Sequence, residues 1–399
     1  MSRQQAETIE LSEGNATTIS AARAQLETLR SELKQLFFER DDVVDGLLSA
    51  LLCKQHVLIL GPPGTAKSLL ASILSGAIDG AKFFYWLLTK FTTPEEVFGP
   101  ISLVALQQDR VCRLTTGKMP EAHLFFADEC FKANSAILNS FLTATNERLF
   151  HNDGKAVPIP LMTMIGASNE LPESEELEAM FDRFLIRFWI PYLNDGGNVR
   201  KLLTSADPVV KTKITLAEIE QCQSEAMQVV VPDSVIDALM IVKQRTEEQG
   251  YRSSDRRWKQ AVKLLKAFAY LTGDNAVNED HLELLADVLW REPKDRPQLA
   301  TVIGTVGNPL NVRATEIMDA AKELAAKLGS VNASDSAAKA EWLKQASLLE
   351  TSLSQMEGEM QTLMAKNPNR NLRKVKLALD HVTKIKKGVT KRVAELYNL

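Results

Sequence analysis

The sequence predicts an α/β fold with a parallel sheet, followed by an all-helical segment and a C-terminal bundle of three helices. Three observations carry this. Short apolar runs alternate with helical segments over the first half of the chain, which is the pattern of strands joined by helical crossovers. From about Leu193 the pattern turns helical only, and beyond residue 312 apolar residues recur four and three apart, the spacing of packed long helices. These changes divide the 399 residues into an α/β domain at 1–192, a helical domain at 193–292 and a three-helix domain at 312–399.

Residues 1–16 are polar and expected to fray, whereas Leu26, Leu29, Leu33 and Leu36 mark a first helix between Ile19 and Phe38. Four apolar runs, Val57–Leu60, His123–Ala127, Leu161–Ala167 and Leu185–Ile190, read as buried parallel strands. Thr93-Pro94-Glu95-Glu96 combines a cap, a first-turn proline and a capping box. Arg148 to Phe150 and Lys155 to Ile159, separated by Asn152-Asp153-Gly154, read as a hairpin whose Asp-Gly turn requires no chemistry.

In the helical domain, Pro232–Gln249, Asp255–Thr272 and Glu279–Arg291 end at Gly250, Gly273 and Pro293, residues that stop helices. Glu292 to Asn311, with three prolines and two glycines, reads as a linker. A last group of helices follows, marked by Ile317 to Leu328, Trp342 to Leu363 and Leu372 to Leu396, with Asn367-Pro368-Asn369 as a turn between the second and third.

Composition bounds the function. With 45% hydrophobic and 25% charged residues the chain has enough apolar material for packed cores, which excludes a largely disordered protein. A net charge of −4 gives no global basic field, so nucleic acid is an unlikely partner. Residues 366–399 alone carry ten Lys/Arg against two Asp/Glu, yet the basic residues are interleaved with the Leu/Val stripe, as on a solvated helix face. Four scattered cysteines suit a reducing compartment and form no metal-ligand spacing. With no signal-peptide pattern and no spanning segment, a cytoplasmic location is expected.

The strongest chemical signal is Gly61-Pro62-Pro63-Gly64-Thr65-Ala66-Lys67-Ser68, placed between a strand and a helix as a phosphate-binding loop must be. Its backbone N–H groups and the helix start would cradle phosphate, Lys67 would reach the β- and γ-phosphates of ATP, and Ser68 would ligate Mg2+. Ala66 stands where a glycine usually precedes the lysine, which is expected to be tolerated if the backbone there is already helical. About 60 residues on, Asp128-Glu129 ends an apolar strand. Asp128 would hold the metal through its water shell and Glu129 would polarise the attacking water. The next strand ends in Ser168-Asn169, whose amide would hold that water in line. Phe181-Asp182-Arg183-Phe184 presents an arginine suited to the γ-phosphate of a neighbouring subunit, with Arg187 as the alternative. Ser254-Asp255-Arg256-Arg257-Trp258 starts a helix with two arginines. Arg256 is the candidate to reach the nucleotide, and Arg257 reads as a solvated helix end.

Together these elements resemble the AAA+ ATPases, and Leu58 to Trp290 is similar to the MoxR family. Glu96-Val97-Phe98-Gly99-Pro100, Asn146-Glu147-Arg148, Ala167-Ser168-Asn169-Glu170-Leu171-Pro172 and Ser254-Asp255-Arg256-Arg257-Trp258 are most similar to its regulatory ATPase variant A subgroup. The resemblance implies a five-stranded sheet with a helical lid, a hairpin insert around Ile101–Leu114 facing a central pore, and hexameric rings. It also implies a chaperone-like ATPase that remodels a client protein beside a partner with a von Willebrand factor A domain. A nucleotide-gated oligomeric scaffold is the alternative function, and a nucleic-acid-associated motor that uses the basic tail is the third and least favoured. The sequence departs from the subgroup at Gly329–Ala337, a short polar link where the subgroup inserts a small domain.

Overall fold

The computed structural model describes residues 20–329, 336–368 and 372–397. The expected frayed start, residues 330–335 of the polar link and Asn369 of the expected turn lie outside them.

Five parallel strands form the central sheet: β1 (His56–Leu60), β2 (Phe83–Leu87), β3 (Leu124–Asp128), β4 (Thr163–Ser168) and β5 (Phe184–Trp189), in the order β2-β3-β4-β1-β5. Every residue of β1 and β4 is buried. Strands covered on both faces need apolar runs, as Val57–Leu60 and 164–167 supply, with polar His56, Thr163 and Ser168 only at the strand ends. The edge strand β2 is amphipathic instead, with Phe84 inside and Tyr85 half-exposed. It lies outside the four runs read from the sequence, although Phe83-Phe84-Tyr85-Trp86-Leu87 is an aromatic run of high strand propensity.

The register fixes which loops share an edge. Leu60 pairs with Ser168 and with Trp189, and Ala127 with Gly166, so the carboxyl ends of β1, β3 and β4 lie side by side. At the opposite edge His56 pairs with Phe184. The two edges are separated by the length of a five-residue strand, about 13 Å.

The hairpin forms as expected, with Leu149–Asn152 antiparallel to Lys155–Pro158 and both turn residues, Asp153 and Gly154, at positive φ. It braces residues 101–113, which are closed by a bridge between Ile101 and Arg113. The Asn152 side chain accepts from Arg113 N at 2.7 Å.

The helix Ala21–Leu36 buries Leu26, Leu29 and Leu33, each worth about 1.5–3 kcal/mol in transfer from water. Its Arg23 stacks over Tyr270 and donates to the Tyr270 carbonyl, which fastens it to the helical domain. Asp255–Thr272 ends at Gly273 in the left-handed conformation, as the sequence indicated.

The stretch Glu292–Asn311 is not a linker. Arg296–Val306 is a helix whose Leu299 and Ile303 are fully buried in the first core, and Arg296 pairs with buried Asp287. Pro297 sits in the first helical turn, where its missing N–H costs nothing, so a residue read as a breaker serves as a start. Three helices follow, Pro309–Leu328, Ser336–Lys366 and Arg373–Tyr397, around a second apolar cluster that runs from Ala314 to Leu396.

Candidate functional site

The loop between β1 and the helix Lys67–Gly76 turns sharply at Gly61, where a Cβ would lie 2.2 Å from the Ile190 carbonyl oxygen. Only glycine passes there. Ala66 departs from expectation: its backbone is left-handed (φ 65°, ψ 25°) rather than helical, so an L-residue occupies a glycine conformation at the helix start. Lys67 Nζ lies on the loop itself, donating to the Gly61 and Pro62 carbonyls at 2.8 and 2.9 Å. Partial burial lowers its pKa, opposed by the charges of Asp128 and Glu129, which places all three groups in one field. The exposed Ser68 follows in the first turn.

Asp128 ends β3, and its Oδ2 accepts from the Tyr85 hydroxyl at 3.1 Å while Oδ1 accepts from Glu129 N. Glu129 adopts the left-handed conformation (φ 51°), which turns its side chain away from the strand direction. Oriented to satisfy both groups, the Asn169 amide nitrogen donates to Glu129 Oε1 at 2.7 Å and Oε2 at 2.9 Å. The Ser168 hydroxyl, bonded to both Glu170 N and the Glu170 carbonyl, shapes the turn that presents Asn169. Lys132 approaches Glu129 Oε2 at 3.2 Å from the other side.

Beside the loop, Gly64, Thr65 and Ala66 form one wall of a groove of about 510 Å3 whose other walls include Phe37, Phe38, Tyr192 and Leu202. Sequence reasoning missed this groove and Tyr85. The groove draws on segments more than 150 residues apart, and no local pattern joins them.

Arg183 and Arg256 lie elsewhere. Arg183 directly precedes β5 at the amino edge of the sheet, beside His56, and Arg256 hydrogen-bonds Asn146 at the same edge. Both line a cavity of about 630 Å3 together with Lys54, Arg148 and Lys263. Burial lowers the pKa of Arg183, and the charge of Arg256 lowers it further; Arg183 Nε is buried with no hydrogen-bond partner among the described residues. The helical domain docks against this edge, so Arg256 is not brought to the phosphate loop of its own chain. Arg187 is 3% exposed and donates to the Phe181, Phe184 and Trp290 carbonyls, which seals it inside the junction of the two domains. Arg257, expected as a solvated helix end, is buried as well.

Residues 24–229 match the family model of the MoxR domain in the MoxR-vWA-beta-propeller ternary systems, and residues 234–303 match an AAA lid domain. The chain belongs to the MoxR family of AAA+ ATPases. An uncharacterised protein of Methanocaldococcus jannaschii is 40% identical over 71% of this chain and 76% of its own length. The chaperone MoxR1 of Mycobacterium tuberculosis is 23% identical over 69% of this chain and 77% of its own. A crystal structure from Cytophaga hutchinsonii, described as a candidate ATPase, superposes with a TM-score of 0.57 at 18% identity, over 71% of this chain and 94% of that one. The lid match reaches residue 303, so it takes in the helix Arg296–Val306 as far as Ile303.

Proposed function

We propose that this MoxR-type chain hydrolyses ATP in a ring of identical subunits, six by resemblance, and uses the cycle to remodel a client protein beside a partner with a von Willebrand factor A domain. One observation carries the reading: the groups suited to phosphoryl transfer are divided between the two edges of one sheet. Lys67, Ser68, Asp128, Glu129 and Asn169 stand at the carboxyl edge, and Arg183 and Arg256 at the amino edge. No single subunit unites them, whereas head-to-tail contact sets one subunit's amino edge against the next subunit's phosphate loop.

In this reading the loop N–H groups cradle the phosphates, and Lys67 leaves the Gly61 and Pro62 carbonyls to meet them. The adenine ring lies in the groove of Phe37, Phe38 and Tyr192. Exposed Ser68 and the Asp128 carboxylate supply oxygen donors that fit a hard cation, and bound Mg2+ would neutralise phosphate charge there. Glu129, held by Asn169, takes the proton of the attacking water. Arg183, whose Nε has no acceptor among the described residues, and Arg256 stabilise charge on the transferring phosphoryl group of the neighbour. Residues 101–114, with Leu103 and Val104 exposed, face the pore and meet the client. Similarity to the chaperone MoxR1 supports the chaperone-like reading, and the matching family's name supports the partner. The four free cysteines suit the cytoplasm. Among the described residues no helix is long and apolar enough to cross a membrane.

Mixing tests the split. Lys67→Ala and Arg183→Ala are each expected to be nearly inactive alone, and together to recover ATP turnover at hybrid interfaces. A chain that is monomeric by light scattering in saturating ATP, with full turnover, overturns the reading.

A further inference from the structure

We propose that the Asp182–Arg257 ion pair, without itself touching the nucleotide, is the positioning device that holds Arg183 and Arg256 as one unit presented to a neighbour's nucleotide. The inference rests on the divided-site reading above.

Asp182 immediately precedes Arg183, and Arg257 immediately follows Arg256. Arg257 is 4% exposed, and its guanidinium meets Asp182 Oδ1 at 2.9 Å through Nη2 and 3.3 Å through Nε. The same guanidinium donates to the carbonyls of Asp182 (3.0 Å), Phe184 (3.2 Å) and Leu185 (2.9 Å), which bracket Arg183, and to Val288 of the lid (2.8 Å). Ser254 caps this helix start by accepting from Arg257 N. One planar fork therefore clamps the chain on both sides of Arg183 to the first turn that carries Arg256. Arg187 repeats the clamp from the core side, donating to Trp290 O while Trp290 Nε1 donates to Arg187 O at 3.1 Å.

Stability alone is a poor account of this arrangement. Two guanidinium groups are buried against one carboxylate that is half exposed, and apolar packing commonly stabilises such a junction as well or better. What the clamp supplies is direction. Arg183 and Arg256 repel each other across the same cavity, and without a rigid mount either side chain's backbone would relax away from the other. Carbonyl acceptors on both domains anchor the Arg257 guanidinium and the Asp182 carboxylate sets its angle, so the lid and the amino edge of the sheet are held in one orientation.

The test is made in the full chain with Asp182→Ala and, as the nearly isosteric change, Asp182→Asn. Asp182 is half exposed and the carbonyl bonds of Arg257 remain, so both variants are expected to fold, bind ATP and assemble as the parent does. Turnover is expected to fall at least 10-fold in Asp182→Ala, less in Asp182→Asn, and to recover in part in Asp182→Glu. Mixing Asp182→Ala with Lys67→Ala should restore activity, because the defect lies only on the side presented to the neighbour, whereas mixing it with Arg183→Ala should not. Parental turnover in Asp182→Ala overturns the proposal. So does failure of Lys67→Ala to rescue it where the same partner rescues Arg183→Ala. If Arg183→Ala is not rescued either, the divided site itself is wrong and this proposal falls with it.

Discussion

The Asn169 amide nitrogen meets both carboxylate oxygens of Glu129, at 2.7 and 2.9 Å, and so joins the ends of two adjacent strands, β3 and β4. One amide nitrogen that faces both oxygens fixes the rotation of the carboxylate and so its direction. Glu129→Gln is expected to keep ATP binding and lose turnover by about 100-fold or more. Asn169→Ala frees the carboxylate yet loses its orientation, and a fall of about 10- to 100-fold in kcat with little change in ATP affinity is expected. Single-turnover hydrolysis with equilibrium nucleotide binding separates the two effects. Parental turnover in Glu129→Gln would remove that residue from the mechanism.

Ala66 at φ 65° carries a strain of about 1–2 kcal/mol that a glycine would not. Glycine returns about 0.5–1 kcal/mol of this through the greater freedom of the unfolded chain. Ala66→Gly is therefore expected to stabilise the protein by up to about 1 kcal/mol while ATP affinity stays equal or improves. Ala66→Val, β-branched at the same backbone, should destabilise it and weaken ATP binding. Thermal unfolding with and without nucleotide measures both, and a destabilised Ala66→Gly would show that the loop conformation is set differently.

His56 is buried at the amino end of β1, with Nε2 against the Thr145 carbonyl and Nδ1 accepting from Met164 N. Both bonds suit the neutral ring. Burial, with the Arg148 charge in support, lowers its pKa to about 3. Between pH 6.5 and 3 the unfolded chain thus holds a proton that the native ring refuses, so stability falls as pH falls through that window and is flat above it. One such proton contributes a slope of about 1.4 kcal/mol per pH unit. His56→Gln, uncharged throughout, is expected to flatten the pH dependence of the unfolding free energy from urea titration between pH 6.5 and 4.5 by up to that slope. Equal slopes in both proteins would assign the acid sensitivity to other groups.

How far the sequence reaches depends on whether a feature is local. The phosphate loop, Asp128-Glu129 and Ser168-Asn169 are each a strand end followed by a turn, and each was legible because burial writes an apolar run directly before the polar residues. The edge strand β2 escaped because only one of its faces is well covered. Arg296–Val306 was hidden by its prolines and glycines, which mean a loop in isolation but a helix start and a close contact here: Gly304 packs under Val312 with no room for a Cβ. Arg256 illustrates the deeper limit. That it starts a helix is local, whereas which edge of the sheet that helix meets depends on Arg257 and Arg187 finding carbonyls 70 to 100 residues away.

The C-terminal helices make their own apolar cluster, from Ala314 to Leu396, apart from the core that ends at Ile303. Their attachment to the lid includes the close packing of Val312 on Gly304 and polar contacts at Glu283, to which Asn311 donates at 2.6 Å and with which Lys374 pairs. Every group assigned to hydrolysis lies in the other core. Truncation after Asn311 is therefore expected to leave turnover within a few-fold of the parent, while the separate residues 308–399 retain helical circular dichroism and a cooperative transition. The +8 charge of residues 366–399, with Lys384 and Lys391 largely exposed, would steer an acidic partner surface, and that attraction should weaken as salt rises past about 0.15 M, where screening acts within about 8 Å. A truncated protein that folds and assembles but has lost hydrolysis would place these helices inside the motor. One that keeps both hydrolysis and partner binding would leave them no part in recruitment.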